Sequence, residues 1–180
     1  MLQKLLFIAA ASVSLAAQAG DFKLSSTDIK AGSKIANKFV FKGFGCEGDN
    51  ISPAISWKGA PEGTKSFALT MYDPDAPTGS GFWHWVVYDI PPGTTALPQG
   101  AGDGKALPAG TKQGITDFGN PGYGGPCPPQ GDKPHHYTFT LHALKVDKLD
   151  VPPNATPAFV GFFIHTNEIE KTRFTATYGR

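Results

Sequence analysis

Two segments of the chain alternate between apolar and polar positions with a period of two residues. They span residues 66–72 and 135–146. In the first segment the side chains of Phe67, Leu69 and Met71 fall on one side. Strict alternation over this length is typical of β-strands whose two faces meet different surroundings. We therefore predict a long strand in each segment.

A third strand is predicted over residues 83–90, which are rich in aromatic and β-branched side chains and are followed by two prolines. Because successive side chains of a strand point to opposite faces, His84 is expected to share a face with Val86 and Tyr88. By the same rule His135 and Tyr137 share a face of their own strand. Shorter strands are predicted over residues 22–24, 39–41, 55–57 and 174–178.

One helix is predicted near the end of the chain. Thr156 is a suitable N-cap, and Pro157 suits the first helical position. Large apolar residues then recur at helical spacing as far as Ile169, which extends the predicted helix to about residue 171. Residues 93–131 form a long irregular segment, and a segment of this length is usually functional or contains short elements. The pattern as a whole predicts a mainly β protein, a β-sandwich or large sheet with a C-terminal helix.

The first nineteen residues have the form of a secretory signal peptide. Lys4 precedes an apolar run of residues 5–15, and small residues at Ala17 and Ala19 provide a cleavage site. The run is shorter than the roughly 20 residues that a membrane-spanning helix needs. We predict cleavage after Ala19, a single domain over residues 20–180, no membrane span and a location in the periplasm, with secretion as an alternative.

The net charge of the whole chain is +1, and it falls to zero when Lys4 is removed. A neutral chain without basic runs argues against a nucleic acid partner. The only cysteines are Cys46 and Cys127. In an oxidising compartment a lone pair usually forms a disulfide, although two separate thiols are the alternative.

Three polar motifs follow or begin predicted strands. The first is Asp73-Pro74-Asp75-Ala76-Pro77, the second contains His84, and the third runs from Pro128-Pro129 to His135 and Tyr137. Residues at the junctions of strands and loops often form binding sites. Each motif also has a structural explanation, since aspartate before proline is common in turns.

Together these motifs resemble the signature of the phosphatidylethanolamine-binding proteins, also called Raf kinase inhibitor proteins. The resemblance extends over residues 22–178 and is strongest to the periplasmic YbcL type of the bacterial YbhB/YbcL branch. It implies an antiparallel Greek-key β fold with a small pocket at one end that holds phosphate or similar anions. The residues that the resemblance assigns to this pocket are Asp73, His84, Pro128, Pro129, His135 and Tyr137.

This resemblance implies an anion-binding protein without cofactor or metal, with an inhibitory or interaction role as an extension. A carboxylate such as Asp73 beside a histidine is expected to raise the pKa of that ring, which would then donate a charge-assisted hydrogen bond to an oxyanion. The partners expected are a small phosphorylated or carboxylated ligand and a protein that carries such a group.

Two other functions stay open at this point. Two histidines with Asp73 or Asp75 have the ligand types of a metal-dependent enzyme. A serine protease inhibitor is the other alternative; hydrolysis itself is less credible, because Ser80 is near His84 but lies in no nucleophile elbow. An uncovered sheet edge would also allow a homodimer.

Overall fold

A five-stranded antiparallel sheet forms the centre of the fold in the computed structural model, which describes residues 21–180. The predicted signal peptide lies outside the described residues. The strands are β1 (Lys23–Ser25), β2 (Lys42–Gly43), β3 (Cys46–Glu47), β4 (Ile55–Lys58), β5 (Ser66–Asp73), β6 (Phe82–Ile90), β7 (Ala96–Leu97), β8 (Lys112–Gln113), β9 (His135–Leu144) and β10 (Glu168–Tyr178). Within the described residues there is a single α-helix, α1, which spans Pro157–Asn167.

The central sheet has the strand order β10-β9-β5-β6-β8, and a smaller sheet has the order β1-β4-β7. Strands β2 and β3 form a separate pair. All of these neighbours pair antiparallel. The prediction of a mainly β antiparallel fold with a C-terminal helix is therefore confirmed.

Both faces of the central sheet are buried. One face contributes Phe67, Leu69 and Met71 to the main hydrophobic core, together with residues of the smaller sheet such as Trp57. The other face contributes a second cluster that α1 covers with Val160 and Ile164. Burial of both faces explains why the polar positions in the alternating pattern of β5 are mostly small or neutral.

A β-bulge in β6 turns His84 away from its predicted face. Met71 pairs with Trp85, and the next residue of β5, Tyr72, pairs with Trp83, which leaves His84 as the extra residue. The prediction that His84 shares a face with Val86 and Tyr88 is therefore wrong. Those two residues belong to the cluster beneath α1, whereas the His84 ring lies 5.1 Å from the ring of Tyr137 on the opposite face.

Two other local predictions are also wrong. Residues 37–39 form a 3-10 helix instead of the start of a strand, and Phe39 packs into the main core from that turn. The helix ends at Asn167, because from Glu168 onward the backbone pairs with β9. Ile169 therefore lies in β10, and α1 buries Val160 and Ile164 while Phe162 is exposed.

Cys46 and Cys127 form a disulfide, as predicted. The bond joins β3 to the long segment of residues 93–131, which contains β7, β8 and a short 3-10 turn. Within residues 21–180, no helix has the length and apolar character needed to span a membrane.

Candidate functional site

A cavity of about 190 Å³ opens where β5 ends and where β6 and β9 begin. The six residues that the sequence assigned to the pocket all line this cavity, so the fold brings three distant motifs together. The complete lining comprises Phe44, Asp73, Ala76, Pro77, Thr78, Phe82, His84, Phe118, Cys127, Pro128, Pro129, His135 and Tyr137.

Asp73 is the last residue of β5, and its carboxylate is buried. Its Oδ1 accepts a hydrogen bond from the backbone N–H of Asp75 at 2.8 Å, which closes a turn typical of aspartate before proline. Its Oδ2 lies 2.8 Å from Nδ1 of His135 and 4.0 Å from Nε2 of His84. A single carboxylate oxygen thus lies between the two histidines.

The orientation of His84 follows from its backbone partners. Its Nδ1 lies 2.8 Å from the carbonyl oxygen of Gly124 and 3.2 Å from that of Gly125. Because a carbonyl oxygen only accepts, Nδ1 must carry a hydrogen and donate it. In the neutral ring Nε2 is therefore unprotonated, on the side of the ring that approaches Asp73.

Burial lowers the pKa of His84 below its ordinary value of 6.5, although the Gly124 carbonyl and Asp73 act in the opposite direction. Asp73 acts on the pKa of this ring in the expected direction, but the expected net increase is wrong, because the ring is almost completely removed from water and burial outweighs the carboxylate. His84 without a ligand is neutral at pH 7.

Among residues 21–180, no acceptor lies within hydrogen-bond distance of the buried hydroxyl of Tyr137, and Asp73 interacts with it only from farther away. Burial raises the pKa of this phenol, and the negative charge of Asp73 raises it further, so the group keeps its hydrogen. Buried polar groups without a partner are uncommon in native proteins and call for an explanation. Because Tyr137 lines a cavity, the simplest explanation is that its hydroxyl donates a hydrogen bond to a bound ligand.

His135 differs from His84 because both of its ring nitrogens lie near carboxylates. Nδ1 is 2.8 Å from Asp73, and Nε2 is 3.4 Å from Oδ2 of Asp132. The His135 ring therefore holds the Asp73 carboxylate in position through its Nδ1.

The second aspartate of the Asp-Pro-Asp motif does not line the cavity. Oδ2 of Asp75 accepts hydrogen bonds from the backbone N–H of His136 at 2.7 Å and interacts with Nδ1 of the same residue at 2.8 Å. Partial burial raises the pKa of Asp75, but the bonds from His136 outweigh it and the net shift is downward. This aspartate ties the end of β5 to the start of β9.

Aromatic side chains that sequence reasoning missed form the mouth of the cavity. Phe44 is 78% exposed, and Phe82 and Phe118 complete the wall. The ring of Phe118 lies 5.4 Å from the ring of His84. For Phe44, the only sequence feature that pointed to the cavity is its position two residues before Cys46. Phe118 lies in the long irregular segment of residues 93–131, whose structure could not be predicted from local sequence.

Two ties hold the segment of Phe44 against the segment of Pro128. One is the Cys46–Cys127 disulfide. The other is the guanidinium of Arg180, which donates to the carbonyl oxygens of Gly45 at 2.6 Å, Phe44 at 3.3 Å and Pro128 at 2.8 Å. The disulfide and Arg180 together fix the positions of these two segments of the cavity wall.

The residues present do not form an evident metal site. Across residues 21–180, no group of three or more His, Cys, Asp or Glu side chains is arranged to hold a metal ion. Asp75, one of the carboxylates considered for such a site, is engaged with His136.

Comparison with known proteins identifies close relatives. A family model described as phosphatidylethanolamine-binding protein matches residues 25–179. The YbcL protein of Escherichia coli (strain K12) is 52% identical over 170 residues, which cover 93% of each chain. The YbhB protein of the same organism is 50% identical over 157 residues, 87% of this chain and 99% of that protein.

Solved structures agree with this result. The crystal structure of E. coli YbcL superimposes with a TM-score of 0.87 at 52% identity, and the match covers 89% of this chain and 99% of that one. A phosphatidylethanolamine-binding protein homologue from Chlamydia trachomatis gives a TM-score of 0.73 at 29% identity, over 88% of this chain and 97% of that one.

Proposed function

Because this chain belongs to the phosphatidylethanolamine-binding protein family, we propose that it binds a small phosphorylated or carboxylated ligand in the cavity around Asp73, His84 and Tyr137. The observation that carries the proposal is the buried hydroxyl of Tyr137, a residue of the cavity lining, for which the described residues offer no acceptor within hydrogen-bond distance. An oxyanion placed there would accept this hydrogen bond and remove the cost of leaving the group unsatisfied.

His84 adds a second interaction that requires one proton. Its Nδ1 is committed to Gly124, so only Nε2 is available to a ligand. A protonated Nε2 donates to an anion, and an unprotonated Nε2 accepts from the acid form of the same ligand. In either case the ligand and one proton enter the site together.

Binding is supported better than catalysis. Among the described residues, the cavity lining contains no lysine, arginine, cysteine thiol or serine. Ser80, which is near His84 in sequence, donates no hydrogen bond to it in the described structure, and its backbone carbonyl accepts from Tyr72 instead. A compact anion of low charge is the ligand that this donor set suits best.

We also propose that the protein acts outside the cytoplasm, in the periplasm. The disulfide supports this location, because such bonds persist mainly in oxidising compartments.

The proposal is tested by titrating the purified protein with methyl phosphate while recording the NMR signals of its histidine rings. We expect the His84 signals to move and saturate, while those of His142, which is half-buried elsewhere and paired with Glu168, stay unchanged. Tyr137→Phe should weaken binding about tenfold without lowering the free energy of unfolding, because its hydroxyl has no partner in the free protein.

Tyr123→Phe is the matched control. This second buried tyrosine donates its hydroxyl to the carbonyl of Phe39 at 2.8 Å, so its loss should lower the free energy of unfolding by about 1 kcal/mol and leave the affinity for methyl phosphate unchanged. Stationary His84 signals at saturating methyl phosphate would overturn the proposed function.

A further inference from the structure

Three phenylalanine rings, two of which line the cavity, form a nearly parallel stack. The centroids of Phe41 and Phe118 are 4.2 Å apart at an interplanar angle of 15°. Phe44 extends the group, at 5.6 Å and 21° from Phe41 and at 6.3 Å and 12° from Phe118. We call these three residues the aromatic rim.

The backbone makes specific room for this rim. A Cβ atom on Gly124 would lie 2.2 Å from the ring of Phe118, and one on Gly43 would lie 2.9 Å from the ring of Phe41. Gly124 also accepts the hydrogen bond that orients His84. One glycine therefore positions a ring of the rim and a histidine of the cavity at the same time.

Phe44 has an unfavourable backbone conformation at its position in the aromatic rim. Its φ angle is +50°, which is uncommon for a bulky side chain, and the ring is 78% exposed to water. Arg180 and the neighbouring disulfide hold this segment in place. Backbone strain at a ligand site persists only where the surroundings impose it, as they do here.

The cavity holds the compact oxyanion group, and any larger ligand would extend beyond it. A volume of about 190 Å³ lies below the range of about 300–1,000 Å³ that is usual for sites of larger small molecules. A second hollow of about 360 Å³ lies on the other side of Phe44 and Phe118, which line both spaces. A ligand whose head fills the cavity can therefore place its remaining part against Phe44 and Phe118, toward this second hollow.

We infer that the ligand is an oxyanion attached directly to a flat aromatic ring, with the oxyanion beside Tyr137 and the ring against Phe44 and Phe118. This inference rests on the proposed function and specifies its ligand class. Stacked aromatic pairs add stabilisation beyond the burial of apolar area, which favours a flat ring over an alkyl group of similar size. Since the described lining contains no lysine or arginine, a single oxyanion is favoured over a polyphosphate.

The test compares three phosphate monoesters with the same head group: methyl, cyclohexyl and phenyl phosphate. Affinities are measured by calorimetry on the purified protein, on Phe44→Ala and on Phe44→Leu, which keeps apolar bulk without a ring. Phe162→Ala is the matched control, because Phe162 is also an exposed phenylalanine but lies on α1. Circular dichroism confirms that each variant is folded.

We expect phenyl phosphate to bind about tenfold more tightly than methyl phosphate, with cyclohexyl phosphate between them. This ratio should fall to about two or less in Phe44→Ala and Phe44→Leu and stay unchanged in Phe162→Ala. Contacts between the phenyl protons and the Phe44 ring should appear in nuclear Overhauser spectra.

The outcomes separate this inference from the proposed function. If methyl and phenyl phosphate bind equally and both move the His84 signals, the inference fails while the anion site stands. If cyclohexyl phosphate binds as tightly as phenyl phosphate, an apolar group of any kind suffices and the aromatic assignment is overturned. If none of the three esters binds, the proposed function itself fails.

Discussion

Strand β9 carries a histidine–carboxylate pair near each end, and the two pairs are completed differently. At one end Nδ1 of His142 lies 2.5 Å from Glu168, whose other oxygen lies 3.3 Å from Nζ of Lys171. At the other end His135 is paired with Asp73 in the same manner, but the neighbouring Tyr137 hydroxyl has no partner. We call these the closed end and the open end.

A histidine–carboxylate pair that is largely removed from water does not by itself indicate a binding site. Burial lowers the pKa of His142, with Glu168 acting in the opposite direction, and the pKa of His84 at the open end shifts the same way. What distinguishes the open end is a donor without a partner beside a cavity. Between these two ends, the difference lies in the unsatisfied donor and not in the shifted pKa values.

The largest effect is expected from removing the covalent tie of the open end. Replacing Cys46 and Cys127 together by serine releases a loop with a sequence separation of 81 residues. The free energy of unfolding, measured by urea denaturation, should fall by about 4 kcal/mol because the unfolded chain regains the freedom of that loop. An unchanged unfolding midpoint would contradict a structural role for this bond.

The next largest effect is expected from removing the carboxylate at each end in turn. Asp73→Ala removes a buried carboxylate from between two histidines and should lower the free energy of unfolding by about 3 kcal/mol. It should also abolish the response of His84 to methyl phosphate. The equivalent change at the closed end, Glu168→Ala, should cost only about 1 kcal/mol, because its surroundings are partly exposed.

Methyl phosphate binding should be unchanged in Glu168→Ala. The comparison would break down if this variant lost binding to the same extent as Asp73→Ala. Asp73→Asn, which keeps the acceptor for the Asp75 N–H, serves to separate the charge of Asp73 from its role in the turn.

The smallest effect is the pH dependence of binding at the open end. His84 is neutral in the free protein because burial lowers its pKa below 6.5, and a bound anion stabilises the protonated ring. Binding therefore takes up a proton, and affinity should increase as pH falls, by up to about tenfold per pH unit, until His84 titrates in the free protein.

Methanesulfonate is a suitable probe, because its charge is constant between about pH 5 and 8. His142 serves as the internal control, since its titration should be the same with and without the probe. An affinity that does not depend on pH would show that His84 is not protonated on binding.

Several parts of the site could be predicted from local sequence. Asp73 is placed by the turn that aspartate and proline form after an alternating strand, and Tyr137 shares a face with His135 because of simple strand parity. The disulfide could be predicted because the chain has only two cysteines. The first two inferences depend only on residues that are close together in the sequence. The disulfide inference depends on there being only one possible partner for each cysteine.

Other parts could not be predicted in this way. The face of His84 depends on a bulge, and a bulge is defined by the pairing of β6 with β5, not by β6 alone. The end of α1 depends on Glu168 pairing with β9, which overrides the helical spacing of the apolar residues. Phe44 and Phe118 come together through contacts between segments far apart in the chain, among them the disulfide and the stacking of Phe41 on Phe118.

The sequence by itself determined three long strands of the central sheet, the start of the C-terminal helix and the residue types of the site, because hydrophobic periodicity and turn chemistry act over short distances. Only the tertiary structure decided which nitrogen of His84 is available, that Tyr137 lacks a partner, and that an aromatic rim stands over both. These properties arise from contacts between segments far apart in the chain, and no local pattern of side chains records such contacts.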